Sequence, residues 1–133
     1  MKIRTILVII QRSNGDVLLS ASLINQLNEN LKPEAIDVLV NLDTLPIAKT
    51  LPNIRQIHTF SYQEKNENKF KQEKKIFKKI YRKYDLSINL TSSDRSIIYA
   101  LLASRNAISA VEGIHSKSWW KKIFLKDYYT FDL

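Results

Sequence analysis

The chain has 133 residues, 44% of them hydrophobic and 26% charged, which suits one domain with a core and is too short for two of ordinary size. It has no cysteine and only two histidines, which excludes disulfides, thiolate catalysis and zinc–thiolate sites and makes a metal cluster unexpected. The formal net charge of +8 suggests an anionic partner. No apolar stretch approaches the roughly 20 residues that cross a bilayer, so we expect a cytoplasmic protein.

The first apolar run, residues 6 to 10, follows a basic flank but is shorter than the apolar region of a signal peptide. We predict a strand at residues 5 to 10 that is buried on both faces. Val17, Leu18, Leu23, Ile24, Leu27 and Leu31 have the spacing of one side of a helix. The pattern then repeats with a strand at 35 to 42, a short helix at 44 to 51 and a third strand at 54 to 60.

Residues 64 to 83 carry nine Lys and Arg against three Glu, so this segment supplies most of the charge imbalance. Its apolar residues recur at spacings of three, four and seven, which predicts an amphipathic helix with a basic outer face. These residues are Phe70, Phe77, Ile80, Tyr81 and Tyr84. The remaining predicted elements are a strand at 86 to 90, a helix at 94 to 105, a strand at 107 to 111 and a final helix at 116 to 129.

This alternation of strands and helices predicts a parallel sheet with right-handed crossovers and helices on both faces. The expected fold is therefore a Rossmann-like, doubly wound α/β domain that covers residues 1 to 133. Ligands of such sheets bind at the carboxyl ends of the strands. The loops to inspect are 11 to 16, 41 to 44, 60 to 66, 91 to 95 and 112 to 117.

The first strand-to-helix loop contains Gly15 and Asp16. A G-x-G-x-x-G fingerprint needs three glycines and this turn has one, and no G-x-x-x-x-G-K-[ST] motif occurs in the chain. Backbone N–H groups at the helix N-terminus suit an anion or an oriented hydroxyl, but Asp16 is itself negative and repels a phosphate. One interpretation is that Gly15 relieves a tight turn and Asp16 complements the helix dipole; the other gives Asp16 a chemical role.

Several segments, taken in chain order, resemble the sequence pattern of one protein family. The stretch "ILVIIQRSNGDVLLSASLINQL" resembles the N-terminal signature of the bacterial ADP-heptose:lipopolysaccharide heptosyltransferases, glycosyltransferase family 9. The segments "EAIDVLV", "KYDLSINLTSSDRSIIYALLAS" and "AVEGIHS" resemble later strands and loops of the same family. The sequence departs from the family pattern at Asn89, where an aspartate is frequent, and at Asn14, where the family often has an apolar residue.

The resemblance implies one half of a GT-B glycosyltransferase, in which two Rossmann-like domains face each other. The N-terminal domain would hold the acceptor, and a C-terminal domain absent from this chain would bind the ADP-sugar. The implied reaction is inverting transfer of a heptose or related sugar to the lipopolysaccharide inner core, with Asp16 as catalytic base and with neither metal nor cofactor. We expect these 133 residues alone to have little or no transfer activity.

The acceptor-binding residues implied by the resemblance lie around two loops. Ser13, Asn14 and Gly15 flank the base, and Arg95 falls where the family carries a basic residue that meets acceptor phosphate or carboxylate. Ser92 and Ser93 are further candidates. Each has a structural alternative, since Ser13 and Asn14 suit a turn, Arg95 suits a solvated first turn, and Ser92, Ser93 and Thr91 suit an N-cap.

A second function class rests on the basic surface. In residues 117 to 126 aromatic side chains alternate with lysines, as in helices that lie at a membrane interface. The residues concerned are Lys117, Trp119, Trp120, Lys121 and Lys122. They would bring the protein to the inner face of the inner membrane, unless the aromatics are core and the lysines a solvated face. The alternative function is a non-catalytic α/β domain that binds anionic surfaces or nucleic acid, although no nucleic-acid module is present.

Overall fold

A computed structural model describes residues 2–63, 69–91, 93–112 and 127–131. From β1 to β5 the chain alternates between strands and helices. The strands are β1 (Thr5–Ile10), β2 (Ala35–Asn41), β3 (Gln56–Phe60), β4 (Leu86–Asn89), β5 (Ala107–Glu112) and β6 (Asp127–Phe131). The helices are α1 (Asn14–Leu31), α2 (Leu45–Ala48), α3 (Lys69–Ile80) and α4 (Asp94–Ala103), with a 3-10 turn at Leu42–Thr44 before α2.

The six strands form one sheet in the order β3-β2-β1-β4-β5-β6, and every neighbouring pair is parallel. The order reverses direction at β1, which pairs with β2 on one side and β4 on the other. This reversal is the topological switch point at which ligands of doubly wound folds bind. The predicted Rossmann-like α/β fold is confirmed.

Apolar side chains of the central strands fill two cores, one on each face of the sheet. Leu7 and Ile9 of β1 point to the core under α3 and α4, whereas Ile6, Val8 and Ile10 point to the core under α1 and α2. Because successive side chains of a strand alternate between faces, a strand covered on both sides is expected to be largely apolar. The uninterrupted run "TILVII" is the consequence.

The predicted final helix at 116 to 129 is wrong where the structure describes it. Residues 127 to 131 form β6, which extends the sheet by pairing with β5 from Ile108↔Asp127 to Glu112↔Phe131. The edge of β5 offers a row of backbone hydrogen-bonding groups, and tertiary pairing of this kind overrides a local helical pattern. The rest of the predicted helix lies outside the described residues.

Helix α1 buries a narrower stripe than its apolar pattern predicts. Val17, Ser20 and Ile24 are buried, while Leu18 and Leu31 face solvent. Steps of three and four residues place the buried side chains on one side, and Leu18 lies about 100° away from that line. Single exposed leucines of this kind are common on soluble domains.

Helix α3 is rotated relative to the prediction. Gln72, Ile76 and Ile80 face the sheet, whereas Phe70 and Phe77 are exposed. The Gln72 amide explains part of this rotation, because its Oε1 accepts from the Ser61 backbone N–H at 2.7 Å and its Nε2 donates to the Ser61 carbonyl at 2.9 Å. These two bonds attach the polar residue to the end of β3 and turn the aromatic residues outward.

A buried polar cluster lies between β2, β3 and the start of β4. The Asp37 carboxylate is fully buried and accepts two hydrogen bonds from the Arg55 guanidinium, at 3.0 and 2.7 Å. The Tyr84 hydroxyl donates to the same carboxylate at 2.6 Å, and its oxygen lies 2.9 Å from His58 Nε2. Since the hydroxyl has one proton and gives it to Asp37, His58 donates its Nε2–H to Tyr84.

This cluster predicts that the fold loses stability in mild acid. Burial lowers the pKa of His58 below its ordinary 6.5, so the unfolded chain binds more protons between the two values. The free energy of unfolding should therefore fall as the pH drops below 6.5 and stay level above it. Urea midpoints at pH 7.5 and 5.5 measure the effect, and His58→Gln should remove it; an unchanged pH slope in that variant would contradict the assignment.

Candidate active site

The loops after β1 and β4 meet at the carboxyl edge of the sheet. The backbone N–H of Gln11 donates to Thr91 Oγ1 at 2.9 Å in a buried position, and the Leu90 N–H donates to the Ile9 carbonyl at 2.9 Å. These bonds join the loop that leads into α1 to the loop that leads into α4. The polar residues of both loops therefore share one side of the switch point.

Asp16 lies in the first turn of α1, and its carboxylate is fixed through one oxygen. Oδ2 accepts from the Arg12 guanidinium Nε at 3.1 Å and from the Ser13 hydroxyl at 2.9 Å. Both side-chain bonds reach Oδ2, so Oδ1 receives no side-chain hydrogen bond from the described residues. The side chain is 38% exposed. Hydrogen bonds from Arg12 and then Ser13 hold the pKa of Asp16 below its ordinary 3.8, so the carboxylate is ionised at neutral pH.

The N-terminus of α1 is not capped by a side chain. Ser13 occupies the N-cap position in an extended conformation, but its hydroxyl donates to Asp16 and accepts nothing from the helix backbone. Helix α4 differs, because the Ser93 hydroxyl accepts from the Ser96 N–H at 3.2 Å. The first backbone N–H groups of α1 are therefore the ones left for a ligand or for water.

Gly15 is not required by a tight turn, so that part of the structural interpretation is wrong. It lies within α1 with φ outside the left-handed region, and a Cβ at this position would meet only Ser13 Oγ, at 4.0 Å. The absence of a side chain leaves the surface beside the Asp16 carboxylate open. A glycine that the fold does not need, next to an exposed carboxylate, is consistent with the close approach of a ligand.

Gly15→Ala is accordingly expected to stabilise the domain, because alanine restricts the unfolded chain and favours the helix. We expect a gain of about 0.5 kcal/mol in the free energy of unfolding, at the low end of the helix-interior value because the site is in the first turn. Urea denaturation measures this change. A loss of stability would show that the glycine is needed by the fold after all.

Arg95 begins α4 on the other side of the switch point. Its guanidinium Nε lies 3.3 Å from Glu73 Oε1, and its Cζ lies 4.6 Å from the centre of the Phe60 ring. Within the described residues, no hydrogen bond or ion pair joins Arg95 to Asp16. The structure therefore holds Arg95 beside α3 and the end of β3, and its predicted contact with an acceptor stays a prediction.

The Asn89 amide organises the loop that follows β4. Its Nδ2 donates to Ser96 Oγ and to Ser109 Oγ, each at 2.9 Å, and its Oδ1 accepts from the Thr91 N–H at 3.0 Å. The residue is buried, so an amide that both donates and accepts satisfies this site without burying a charge. Asparagine in place of the family's frequent aspartate is thus explained by packing.

Two residues outside the predicted acceptor-binding set lie at the same edge. Gln11 directly follows β1, and Asn41 is the last residue of the neighbouring strand β2. Both residues are at least nine-tenths buried. Neither Gln11 Nε2 nor Asn41 Oδ1 has a hydrogen-bond partner among the described residues. The sequence feature that could have indicated them is a polar residue at the end of an apolar strand. Unsatisfied buried amide atoms next to an open helix N-terminus indicate a polar site.

The remaining predicted residues lie outside the described part of the chain. These are Ser92, Lys117, Trp119, Trp120, Lys121 and Lys122. Ser93 is described, and its hydroxyl serves the α4 cap while its role toward an acceptor stays a prediction. No helix in the described residues is long and apolar enough to cross a membrane.

The fold and this edge define a class of protein: a Rossmann-like α/β domain with an ionised carboxylate at its switch point. Solved structures share the fold. A glycosyltransferase family 9 protein from Veillonella parvula has a TM-score of 0.77, with 17% identity, over 96% of this chain and 36% of its own. Escherichia coli ADP-heptose lipopolysaccharide heptosyltransferase II has a TM-score of 0.69, with 21% identity, over 96% of this chain and 35% of its own.

Sequence similarity narrows the class. Lipopolysaccharide heptosyltransferase 3 of Escherichia coli strain K12 is 32% identical to this chain over 118 residues. A second Escherichia coli protein of the same name is 36% identical over 121 residues. Each match covers 85% of this chain, which spans about a third (34%) of either relative. No protein-family model matches. The chain is therefore similar to the heptosyltransferase family, and the similarity corresponds to part of the N-terminal region of its members.

Proposed function

We propose that the chain is the acceptor-side part of an inverting glycosyltransferase that transfers heptose or a related sugar from an ADP-sugar to the lipopolysaccharide inner core. The observation that carries this proposal is the Asp16 carboxylate, anchored through Oδ2 and exposed at the switch point of the sheet. The heptosyltransferase relatives supply the sugar and the lipopolysaccharide acceptor as the substrates to test.

In the proposed reaction Asp16 is the general base. An acceptor hydroxyl attacks the anomeric carbon, the bond from that carbon to the diphosphate oxygen breaks, and the hydroxyl proton passes to the carboxylate as ADP leaves. Because the pKa of Asp16 is lowered by Arg12 and Ser13, it is a weak base, and proton transfer comes late along the reaction. Orientation by the two anchoring bonds then provides much of the rate effect, and the negative charge favours an oxocarbenium-like transition state.

Acceptor binding is proposed around the same edge. Asn14 and Gly15 offer backbone N–H groups and a surface without a Cβ, which suit sugar hydroxyls, and the Ser13 hydroxyl lies beside them on Asp16. Gln11 and Asn41 would supply further polar atoms from the ends of β1 and β2. Arg95 remains the proposed contact for acceptor phosphate or carboxylate, and it would have to exchange its Glu73 partner for the ligand.

In this scheme the sugar donor binds another part of the enzyme. The ADP-sugar would bind a C-terminal domain, so the isolated chain is proposed to bind acceptor without transferring sugar. We also propose a cytoplasmic location at the inner face of the inner membrane, where such an acceptor is accessible.

The test is a calorimetric titration of the chain with deacylated inner-core oligosaccharide, with ADP as the donor-side control. Binding of the oligosaccharide without binding of ADP supports the proposal, and weaker binding in Arg95→Ala supports the role of that residue. Gly15→Ala should weaken binding while the domain stays folded, since its added methyl group occupies the open surface. Salt-sensitive binding of every polyanion alike, with no preference for the oligosaccharide, would overturn the acceptor assignment in favour of a non-catalytic basic domain.

A further inference from the structure

The outer side of α3 and α4 carries a stripe of exposed apolar side chains. Phe70 is 77% exposed, Phe77 39% and Ile98 of α4 45%. Phe77 stacks on Tyr81, with ring centres 4.9 Å apart, and Tyr81 is also exposed. Phe70, Phe77 and Tyr81 recur at steps of seven and four residues, so they follow one line along the helix. We call this surface the α3–α4 face.

A groove between the two helices continues the apolar surface inward, with a volume of about 640 Å³. Phe70, Phe77, Ile98 and Leu102 line it, and Lys74 stands at its rim. Glu73 also reaches the groove, but its carboxylate is paired with Arg95. The acidic charge there is thus compensated within the domain, and the unbalanced charge of the groove is positive.

Exposed lysines lie along one side of the stripe. Helix α3 contains six lysines and one glutamate. Its exposed lysines are Lys71, Lys74, Lys75, Lys78 and Lys79. Arg82 extends the positive charge beyond the helix, with its guanidinium 5.8 Å from the centre of the Tyr81 ring. Aromatic rings beside a row of ammonium groups match a surface that is apolar below and anionic at the top.

We propose that the α3–α4 face binds the surface of an anionic lipid bilayer. Phe70, Phe77 and Ile98 enter the boundary between headgroups and acyl chains, and the lysines bind lipid phosphates. The charge complementarity singles out this occupant over a neutral protein surface. Nucleic acid fits less well, because Ile98 and Leu102 at the centre of the groove have no π-face for stacking bases.

The placement of this face keeps the Asp16 carboxylate open, whereas Arg95 itself lines the groove. Helices α3 and α4 cover one face of the sheet, and α1 covers the other. Asp16 lies at the carboxyl edge, between these two surfaces. A bilayer that contacts α3 and α4 therefore leaves the carboxylate accessible. The proposal does not depend on the glycosyltransferase assignment, since it rests on the exposed side chains alone.

The experiment is co-sedimentation of the 133-residue chain with phosphatidylglycerol vesicles, compared with phosphatidylcholine vesicles. We expect binding to the anionic vesicles that weakens from about 0.1 M to about 1 M salt. Phe70→Ser should lower the partition coefficient about tenfold, the equivalent of burying half a phenylalanine side chain. Lys74→Gln should lower it about fivefold, since each basic residue near an anionic surface contributes about this factor.

Matched controls lie on the opposite face. Leu19 of α1 is 76% exposed, so Leu19→Ser removes a comparable exposed apolar side chain, and Lys49→Gln removes one positive charge near α2. Neither should change vesicle binding.

Three results would overturn the proposal. The first is an equal loss of vesicle binding in the control variants and the face variants. The second is binding to single-stranded DNA without binding to vesicles. The third is a dimer that depends on Phe70 in sedimentation velocity and does not bind vesicles.

Discussion

Replacing Asp16 with asparagine is expected to reduce sugar transfer by about 10²- to 10⁴-fold, the range lost with a general base. The measurement needs a donor-binding part, so this chain would replace the matched region of Escherichia coli lipopolysaccharide heptosyltransferase 3 in a chimeric enzyme. The amide keeps the shape of the carboxylate and can still accept from Arg12 and Ser13. It loses the charge and the basicity, so the defect should appear in kcat.

The fold should tolerate this change. Asp16 is exposed, and substitutions at such positions usually alter the free energy of unfolding by less than about 0.5 kcal/mol. Asp94→Asn is the matched control, because Asp94 is also an acidic residue in the first turn of a helix at the same edge of the sheet. Asp94→Asn should leave kcat within a few-fold of the starting enzyme. Near-normal turnover in Asp16→Asn would sink the base assignment.

The pH dependence of the chimera provides a second check on Asp16. Hydrogen bonds from Arg12 and Ser13 lower its pKa below 3.8, so the base stays ionised through the neutral range. We therefore expect no loss of rate attributable to Asp16 as the pH falls from 8 to about 5. Removing the anchors by Arg12→Ala and Ser13→Ala should lower kcat through poorer orientation.

Asp37→Ala is expected to produce the largest loss of stability, about 3 kcal/mol in the free energy of unfolding, as for other broken buried ion pairs. The carboxylate is fully buried and accepts from Arg55 twice and from Tyr84 once. Its removal leaves the Tyr84 hydroxyl without its acceptor and opens a cavity between β2 and β3. The Arg55 side chain is 54% exposed, so water can solvate its charge after the change. The loss in the free energy of unfolding is therefore smaller than it would be for a fully buried arginine.

Urea denaturation followed by circular dichroism measures this loss. Asp43→Ala, at an exposed aspartate of the 3-10 turn, should change the free energy of unfolding by less than about 0.5 kcal/mol. Combining Asp37→Ala with Tyr84→Phe should cost less than the sum of the single changes, because both remove the same hydrogen bond. A loss below about 1 kcal/mol in Asp37→Ala, or strict additivity of the pair, would show that the cluster contributes little.

Much of the fold could be predicted from hydrophobic pattern. A strand buried on both faces is expected to be largely apolar, and β1 and β2 each supply such a run, interrupted in β2 by Asp37, so their positions and the parallel sheet followed directly. The position of Asp16 at the first strand-to-helix turn followed as well. Its chemical role came from the family resemblance, because a carboxylate in a first helical turn also suits the helix dipole.

Tertiary structure alone decided the features that depend on partners distant in the chain. Residues 127 to 131 pair with β5 because its edge was open, although the predicted final helix extended to residue 129. Part of the outward turn of Phe70 and Phe77 comes from the bonds of Gln72 to Ser61, which lies 11 residues earlier at the end of β3. The burial of Gln11 and Asn41 at the switch point likewise depends on how two strands align. The sequence by itself determined which segments are strands and most of the helices, since local periodicity encodes them. Long-range packing, which no local pattern records, decides which face each helix buries and which polar groups meet at the edge of the sheet.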